Sequence, residues 1–209
     1  MSAVLAPRFA PTPVNQEDLA RADMYALIAR LFYAPDAQLL GAIAQADEIV
    51  AQGDNAHLAQ AWRALVAAAA AGPETVKEEH ENLFIGVGKP DVMLYGSYYL
   101  AGFLMEKPLA KLRDDLSKLG LARNDYVSEP EDHLSALCDV MRYLISGDEM
   151  HAAASIEEQK QFFSRHLQPW YERFCAAVLA AEKANFYKPA ARFVKAFFEI
   201  EMESFAMVF

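Results

Sequence analysis

Apolar residues recur at intervals of three and four along most of the chain, the spacing that predicts amphipathic helices. A first helix is expected after Asn15, whose side chain can cap it, and should end near Tyr33, before Pro35. Its apolar positions are Leu19, Met24, Leu27, Ile28 and Leu31.

Polar caps, glycines and prolines divide the following sequence into three more predicted helices. The second starts after Asp36 and runs through Val50, and the third starts after Asp54. We expect these two helices to end at the glycines Gly53 and Gly72. The fourth starts at Pro73, because a proline in the first helical turn loses no hydrogen bond. Its apolar face comprises Val76, His80, Leu83 and Phe84.

Residues 86–97 contain three glycines and a proline, and we predict that they form the longest loop. A long loop of this kind is a natural place for function. A helix is expected beyond it, closed by Gly120. Its apolar positions are Leu109, Leu112, Leu116 and Leu119.

Two sequence pairs have the spacing of a capping box and predict helix starts in the second half of the chain. Ser128 with Glu131 predicts a helix to about Ser146, and Ser155 with Glu158 predicts the next. Prolines then predict one helix from Pro169, carrying Trp170, Phe174 and Val178, and a last helix from Pro189. The last helix carries an aromatic-rich core stripe of Phe193, Phe197, Ile200, Glu201 and Phe205.

These patterns predict an all-α fold, with no β pattern and no internal repeat. A chain of 209 residues fits one substantial core. We therefore expect a flexible N-terminal arm at residues 1–14, followed by a single helical domain of roughly eight to ten helices at residues 15–209.

The charge and the apolar stretches exclude two classes of partner. The net charge is −10, from 29 acidic and 19 basic residues, which disfavours binding to nucleic acid. No uncharged apolar stretch approaches the roughly 20 residues that a membrane span requires. We expect no export signal in the first twenty residues. Cys138 and Cys175 lie in apolar runs, which is typical of buried thiols in a reducing compartment. The cytoplasm fits these features best.

The sequence was also tested for catalytic, metal and nucleotide sites. A phosphate-binding loop at residues 83–90 fails, because Leu83 replaces the first glycine and Pro90 replaces the hydroxyl residue. The five histidines show no metal-ligand spacing, and neither cysteine has a nearby histidine. We therefore predict no cofactor, no metal and no catalytic residue. For Asp132 the ordinary structural interpretation is an acid in the first turn of a helix.

Three strings taken together change this assessment. Residues 129–133 read Glu129-Pro130-Glu131-Asp132-His133, and residues 162–170 contain Phe162, His166, Leu167, Pro169 and Trp170. The third string is Leu83-Phe84-x-Gly86, followed after a loop by Tyr95-Gly96-Ser97-x-Tyr99-Leu100. As a set, these strings resemble the TorD/DmsD family of redox-enzyme maturation chaperones, over about residues 17–205.

The resemblance implies a TorD-like helical fold and a chaperone that binds the twin-arginine leader of a molybdenum-cofactor enzyme before export, without being an enzyme itself. The implied leader-binding residues are Glu129, Pro130, Glu131, Asp132, His133, His80, Leu83, Phe84, Tyr95, Gly96 and Ser97. The second string, Phe162, His166, Leu167, Pro169 and Trp170, is expected to be structural. The body of the immature enzyme is a further expected partner.

The chemistry of such a leader agrees with these residues. Adjacent arginines need carboxylates placed for forked hydrogen bonds, which the acids of residues 129–132 can offer. The apolar part of the leader needs a groove, which we expect beside the long loop. Its predicted lining is Leu83, Phe84, Met93, Leu94 and Tyr95.

The chain departs from the family pattern in the long loop and at position 80. Val87, Met93 and Leu94 stand where other members often have prolines, and His80 occupies the position of a tryptophan that contributes to leader binding in some members.

Several alternatives stay open from the sequence. One is a small metal-dependent hydrolase built on His80, Asp132, His133 and His166, and another is a helical adaptor without a leader site. The identity of the client enzyme, an effect of guanine nucleotide, and the choice between a monomer and a helix-exchanged dimer are also open.

Overall fold

Helices dominate the part of the chain that the computed structural model describes, which comprises residues 15–46, 56–86, 89–124, 126–148 and 151–207. These residues form ten α-helices and one π-helical turn, with no β-strand, so the all-α prediction is confirmed. The helices are α1 (Gln16–Tyr33), α2 (Ala37–Gln45), α3 (Ala56–Ala69), α4 (Pro73–His80), α5 (Gly96–Ala101), α6 (Lys107–Lys118), α7 (Leu134–Ser146), α8 (Ile156–His166), α9 (Tyr171–Ala180) and α10 (Tyr187–Ala206). The π-helical turn, Glu81–Ile85, directly continues α4.

Three of the predicted helix caps are present. The side chain of Asn15 accepts a hydrogen bond from the Asp18 amide at 2.7 Å, and that of Asp36 accepts one from the Leu39 amide at 2.6 Å. Ser155 opens α8 with a complete capping box. Each cap satisfies an amide that has no partner within its own helix.

Other predicted boundaries and faces differ from the structure. In α1, Leu19 is half-exposed, whereas Tyr25 and Phe32 are fully buried, because the buried face is rotated from the predicted one. Helix α2 ends at Gln45. Helix α5 has no counterpart among the predicted helices and includes Gly96 and Ser97 from the predicted loop. The predictions at residues 1–14, Val50, Gly53, Asp54 and Val87 lie outside the described residues.

The predicted capping box of Ser128 and Glu131 is wrong. Helix α7 begins at Leu134, and its N-cap is His133, whose ring nitrogen Nδ1 accepts from the Ser135 amide at 3.2 Å. The preceding residues are held outside the helix because Leu134 N–H donates to the Leu94 carbonyl at 2.8 Å. Residues 129–133, which we call the signature segment, are therefore an irregular connection and not a helical first turn.

The helices share one cluster of buried apolar residues. Helix α1 packs along α7, and α10 packs against α3 and α9. The aromatic stripe of α10 enters this core as predicted, with Phe193, Phe197 and Phe205 buried. Both cysteines are free and buried. No helix among the described residues combines the length and apolar character that crossing a bilayer requires.

Candidate functional site

The signature segment lies against the loop that precedes α5. Tyr95 and His133 form an antiparallel bridge, and the Gly96 amide donates to the Asp132 carbonyl at 2.9 Å. Two of the three strings noted in the sequence are thereby joined through their backbones. This pairing fixes the position of Asp132 at the start of α5.

Asp132 is a buried carboxylate with one oxygen satisfied and one open. Its Oδ2 accepts from the Ser97 amide at 2.7 Å, and the residue is 4% exposed. Its Oδ1, like the hydroxyl of Ser97, has no hydrogen-bond partner among the described residues. A buried polar atom without a partner is costly, so an open carboxylate oxygen marks a position suited to a donor from elsewhere.

A cleft of about 580 Å³ opens beside Asp132, and we call it the Asp132 cleft. It brings together members of all three strings, since Gly96, Ser97 and Asp132 line it together with His166 and Pro169. The remaining lining residues are Leu100, Pro108, Lys111, Leu112, Asp114, Asp115, Lys118, Leu137, Ser164 and Arg165. Its wall is therefore mixed in charge.

Residues of the second string, 162–170, contribute both to the core and to the wall of the Asp132 cleft. Trp170 donates from Nε1 to the His166 carbonyl at 2.6 Å and stacks on the ring of Tyr99 with centroids 5.4 Å apart. A side-chain carbon at Gly96 would lie 3.0 Å from this indole nitrogen, so glycine allows the close approach of α5. His166 is buried and lines the Asp132 cleft, with its Nε2 3.1 Å from Oδ2 of Asp115.

A second cleft, of about 630 Å³, lies beside His133, and we call it the His133 cleft. Most of its wall is apolar, and Glu129, Glu131 and His133 of the signature segment contribute to it. The other lining residues are Ala29, Arg30, Tyr33, Ala34, Asp36, Leu116, Leu121, Ala122, Arg123, Asn124, Val127, Ser135, Ala136, Asp139, Val140 and Tyr143. The signature segment is therefore a wall shared by both clefts.

The titratable groups of the signature segment differ in their partners. Glu129 accepts a hydrogen bond from the hydroxyl of Tyr95, whose pKa burial raises, so that this hydroxyl stays protonated and able to donate. Glu131 forms an ion pair with Arg113, which holds the pKa of Glu131 below its ordinary value even though burial acts in the opposite direction. Burial lowers the pKa of His133 to about 4, so the ring is neutral near pH 7. The segment is thus negatively charged overall.

Three of the predicted leader-binding residues lie in the core. His80, Leu83 and Phe84 are 4%, 0% and 7% exposed, and they line neither cleft. Phe84 packs edge-on against Tyr187 with ring centroids 4.8 Å apart. Leu94 is also buried. Among the described residues, Leu83, Phe84 and Leu94 thus pack into the core and do not line the apolar groove that was expected beside the loop.

The metal-binding side chains and the two thiols were compared with the requirements of a metal site and of a reactive cysteine. No group of three or more His, Cys, Asp or Glu side chains within the described ranges is arranged to hold a metal ion. Burial raises the pKa of both thiols, that of Cys175 to about 12, which keeps them protonated and unreactive.

Sequence reasoning missed the apolar side of the His133 cleft. Tyr33, Ala136 and Val140 lie on α1 and α7, where their spacing indicates ordinary core positions. The pairing of α1 with α7 opens this side of the cleft, and no local pattern encodes that pairing. The ion pair of Arg113 with Glu131 was missed for the same reason, because 18 positions separate the two residues.

Comparisons with known proteins agree with this arrangement. The profile of the family described as "Nitrate reductase delta subunit" matches residues 51–176, which contain the signature segment and the second string. The chain belongs to the TorD/DmsD family of redox-enzyme maturation chaperones.

Individual members of this family show the same likeness. The chaperone protein TorD of Vibrio cholerae serotype O1 is 30% identical over 124 residues, which cover 56% of each chain. TorD of Aliivibrio fischeri is 29% identical over 134 residues, covering 60% of this chain and 61% of the relative. The match thus spans less than two thirds of these curated relatives.

A solved structure matches over a larger part of the chain. It is a protein from Archaeoglobus fulgidus described as a redox enzyme maturation protein, with a TM-score of 0.58 and 25% sequence identity. The match covers 86% of this chain and 93% of that one.

Proposed function

We propose that this protein is a chaperone for a molybdenum-cofactor oxidoreductase and that it binds the twin-arginine leader of that enzyme before export. The observation that carries the proposal is the position of the signature segment between two clefts, with carboxylates toward both. The names of the TorD relatives support the chaperone role.

The leader's arginines are bound by the carboxylates of the signature segment. Asp132 lines the Asp132 cleft and has one buried oxygen without a partner among the described residues, and Glu129 and Glu131 lie at the edge of the His133 cleft. Guanidinium groups donate several hydrogen bonds in a fixed plane and pair well with carboxylates. The neutral ring of His133 adds no positive charge that would oppose them.

The apolar part of the leader lies in the His133 cleft. Its volume of about 630 Å³ falls within the range of ordinary ligand clefts, and its wall is mostly apolar. An acidic edge beside an apolar wall is complementary to a leader in which a basic start precedes an apolar run. The protein acts by binding, in the cytoplasm, where a leader is available before export.

A fluorescent peptide with two adjacent arginines followed by an apolar run tests the proposal. Titration of the intact protein should give micromolar or tighter binding. The same peptide with both arginines changed to alanine should bind at least about tenfold more weakly, since even one charge-assisted contact contributes roughly 1.5–3 kcal/mol. Equal binding of the two peptides would show that the protein does not recognise the arginine pair.

Asp132→Asn is the matching variant of the protein. Asparagine keeps an oxygen that can accept from the Ser97 amide but removes the charge, whereas Asp132→Ala would also remove the acceptor of the Ser97 amide. We expect Asp132→Asn to weaken leader binding by about tenfold. Glu203→Gln on α10 loses the same charge at an exposed position outside both clefts and should bind as the wild type does.

A further inference from the structure

Glu131 is the only carboxylate of the signature segment that already pairs with an arginine among the described residues. Arg113 of α6 donates from Nε to Oε1 at 3.0 Å and from Nη2 to Oε2 at 2.8 Å. Both carboxylate oxygens are therefore engaged by one guanidinium in the forked geometry. This is the contact that a leader arginine would make with the same carboxylate.

The two partners differ in exposure. The Glu131 side chain is 13% exposed and lines the His133 cleft, whereas the Arg113 side chain is 54% exposed and lines neither cleft. Arg113 therefore covers the carboxylate from the solvent side and can swing away without disturbing the core. A second guanidinium that reaches Glu131 must either displace Arg113 or bind beside it against a like charge.

We propose that Arg113 is a built-in competitor of the leader, an internal arginine that occupies Glu131 until a leader arginine takes its place. This inference rests on the proposed function and adds to it the residue that limits leader affinity. A leader arginine that binds Glu131 replaces the two hydrogen bonds that Arg113 already makes to this carboxylate. The contact with Glu131 therefore adds little to the affinity for the leader while Arg113 is present. Without Arg113, the free carboxylate contributes a full contact.

Arg113→Gln tests the inference with the twin-arginine peptide. An exposed ion pair contributes up to about 1 kcal/mol, so its removal should tighten leader binding about fivefold. Removing any positive charge from a chain of net charge −10 also favours a basic peptide in general. Arg192→Gln on α10, an exposed position outside both clefts, is the control for that general effect.

The carboxylate provides the second control. In a Glu131→Gln background, Arg113→Gln should no longer tighten binding, because the group for which the two arginines compete has lost its charge. In the presence of Glu131, a peptide with two lysines should gain less from Arg113→Gln than the arginine peptide, since lysine cannot form the fork. Unfolding curves of all variants confirm that they are folded.

The outcomes separate this inference from the proposed function. Arginine-dependent binding by the wild type, together with equal affinities of Arg113→Gln and Arg192→Gln, would overturn the competitor role and leave the leader site standing. A gain from Arg113→Gln that persists without Glu131 would also overturn it. Binding that is the same with and without the leader arginines would remove the proposed function, and the competitor with it.

Discussion

At the scale of single residues, His133 connects local structure to the site. It caps α7 through Nδ1, its ring contacts those of Tyr95 and Tyr33 edge-on, and it lines the His133 cleft. All of these contacts involve the neutral ring within a buried setting. Protonation therefore opposes the folded state.

The free energy of unfolding should depend on the ionisation of His133. Its pKa is about 4 in the folded chain and about 6.5 when the ring is in water, so the unfolded chain binds more protons between these values. Stability should therefore fall as the pH falls through this window, and His133 should account for about 2 kcal/mol of the loss between pH 7 and pH 5. Denaturant unfolding at both pH values measures it.

His133→Asn is the informative variant for this pH dependence, because asparagine can still cap α7 but does not titrate. Burial also lowers the pKa of His80 and of His166, so part of the pH dependence should remain in the variant. An unchanged difference between pH 7 and pH 5 in His133→Asn would show that the pKa of His133 does not differ between the folded and the unfolded chain.

At the scale of elements, the structure shows where sequence patterns are sufficient. Asn15, Asp36 and Ser155 cap the predicted helices because a cap depends on residues three positions apart. Ser128 and Glu131 have the same spacing and do not form a cap. There, the loop before α5 pairs with the signature segment, and Arg113 takes the Glu131 carboxylate. Distant partners thus override the local signal.

The same distinction applies to the candidate site. The family strings identify Asp132 and His133 as special, and their side chains lie at the clefts. Leu83 and Phe84 were wrongly expected to line a groove, because a helical periodicity does not say whether its apolar face meets a ligand or the core. The π-helical turn carries both side chains into the interior.

Helix α7 provides a test of the His133 cleft that does not involve charge. Ala136 lies on the cleft wall, half-buried, and Ala136→Leu would fill space that the apolar part of the leader needs. We expect about tenfold weaker leader binding, since losing some 60 Å² of apolar contact costs about 1.5 kcal/mol. The titration with the twin-arginine peptide measures it.

Ala176→Leu on α9 is the control for Ala136→Leu, because Ala176 is exposed and lines neither cleft. It adds the same apolar volume to a helix surface elsewhere. If both variants bind the leader as tightly as the wild type, the apolar segment must lie outside the His133 cleft.

At the scale of the whole molecule, a buried polar network joins helices that are distant in sequence. Glu201 of α10 is 1% exposed and pairs with Arg21 of α1 through two bonds of 2.7 and 2.9 Å. Tyr25 donates to the same carboxylate at 3.0 Å, and Arg21 reaches Gln159 of α8 at 3.2 Å. These groups line neither cleft, so the network stabilises the fold with residues that do not contact the proposed leader site.

Removing one partner of the Arg21–Glu201 pair should lower the free energy of unfolding far more than removing both partners. Arg21→Met leaves the buried Glu201 carboxylate without its cationic partner and should lower the free energy of unfolding by about 3–5 kcal/mol. The double variant Arg21→Met with Glu201→Leu should recover most of this loss, because no buried charge remains. Denaturant unfolding of the wild type and both variants measures the difference. A double variant as unstable as Arg21→Met would mean that packing, not the stranded charge, sets the cost. Where the double variant folds, its affinity for the twin-arginine peptide should equal that of the wild type, since the leader site lies elsewhere.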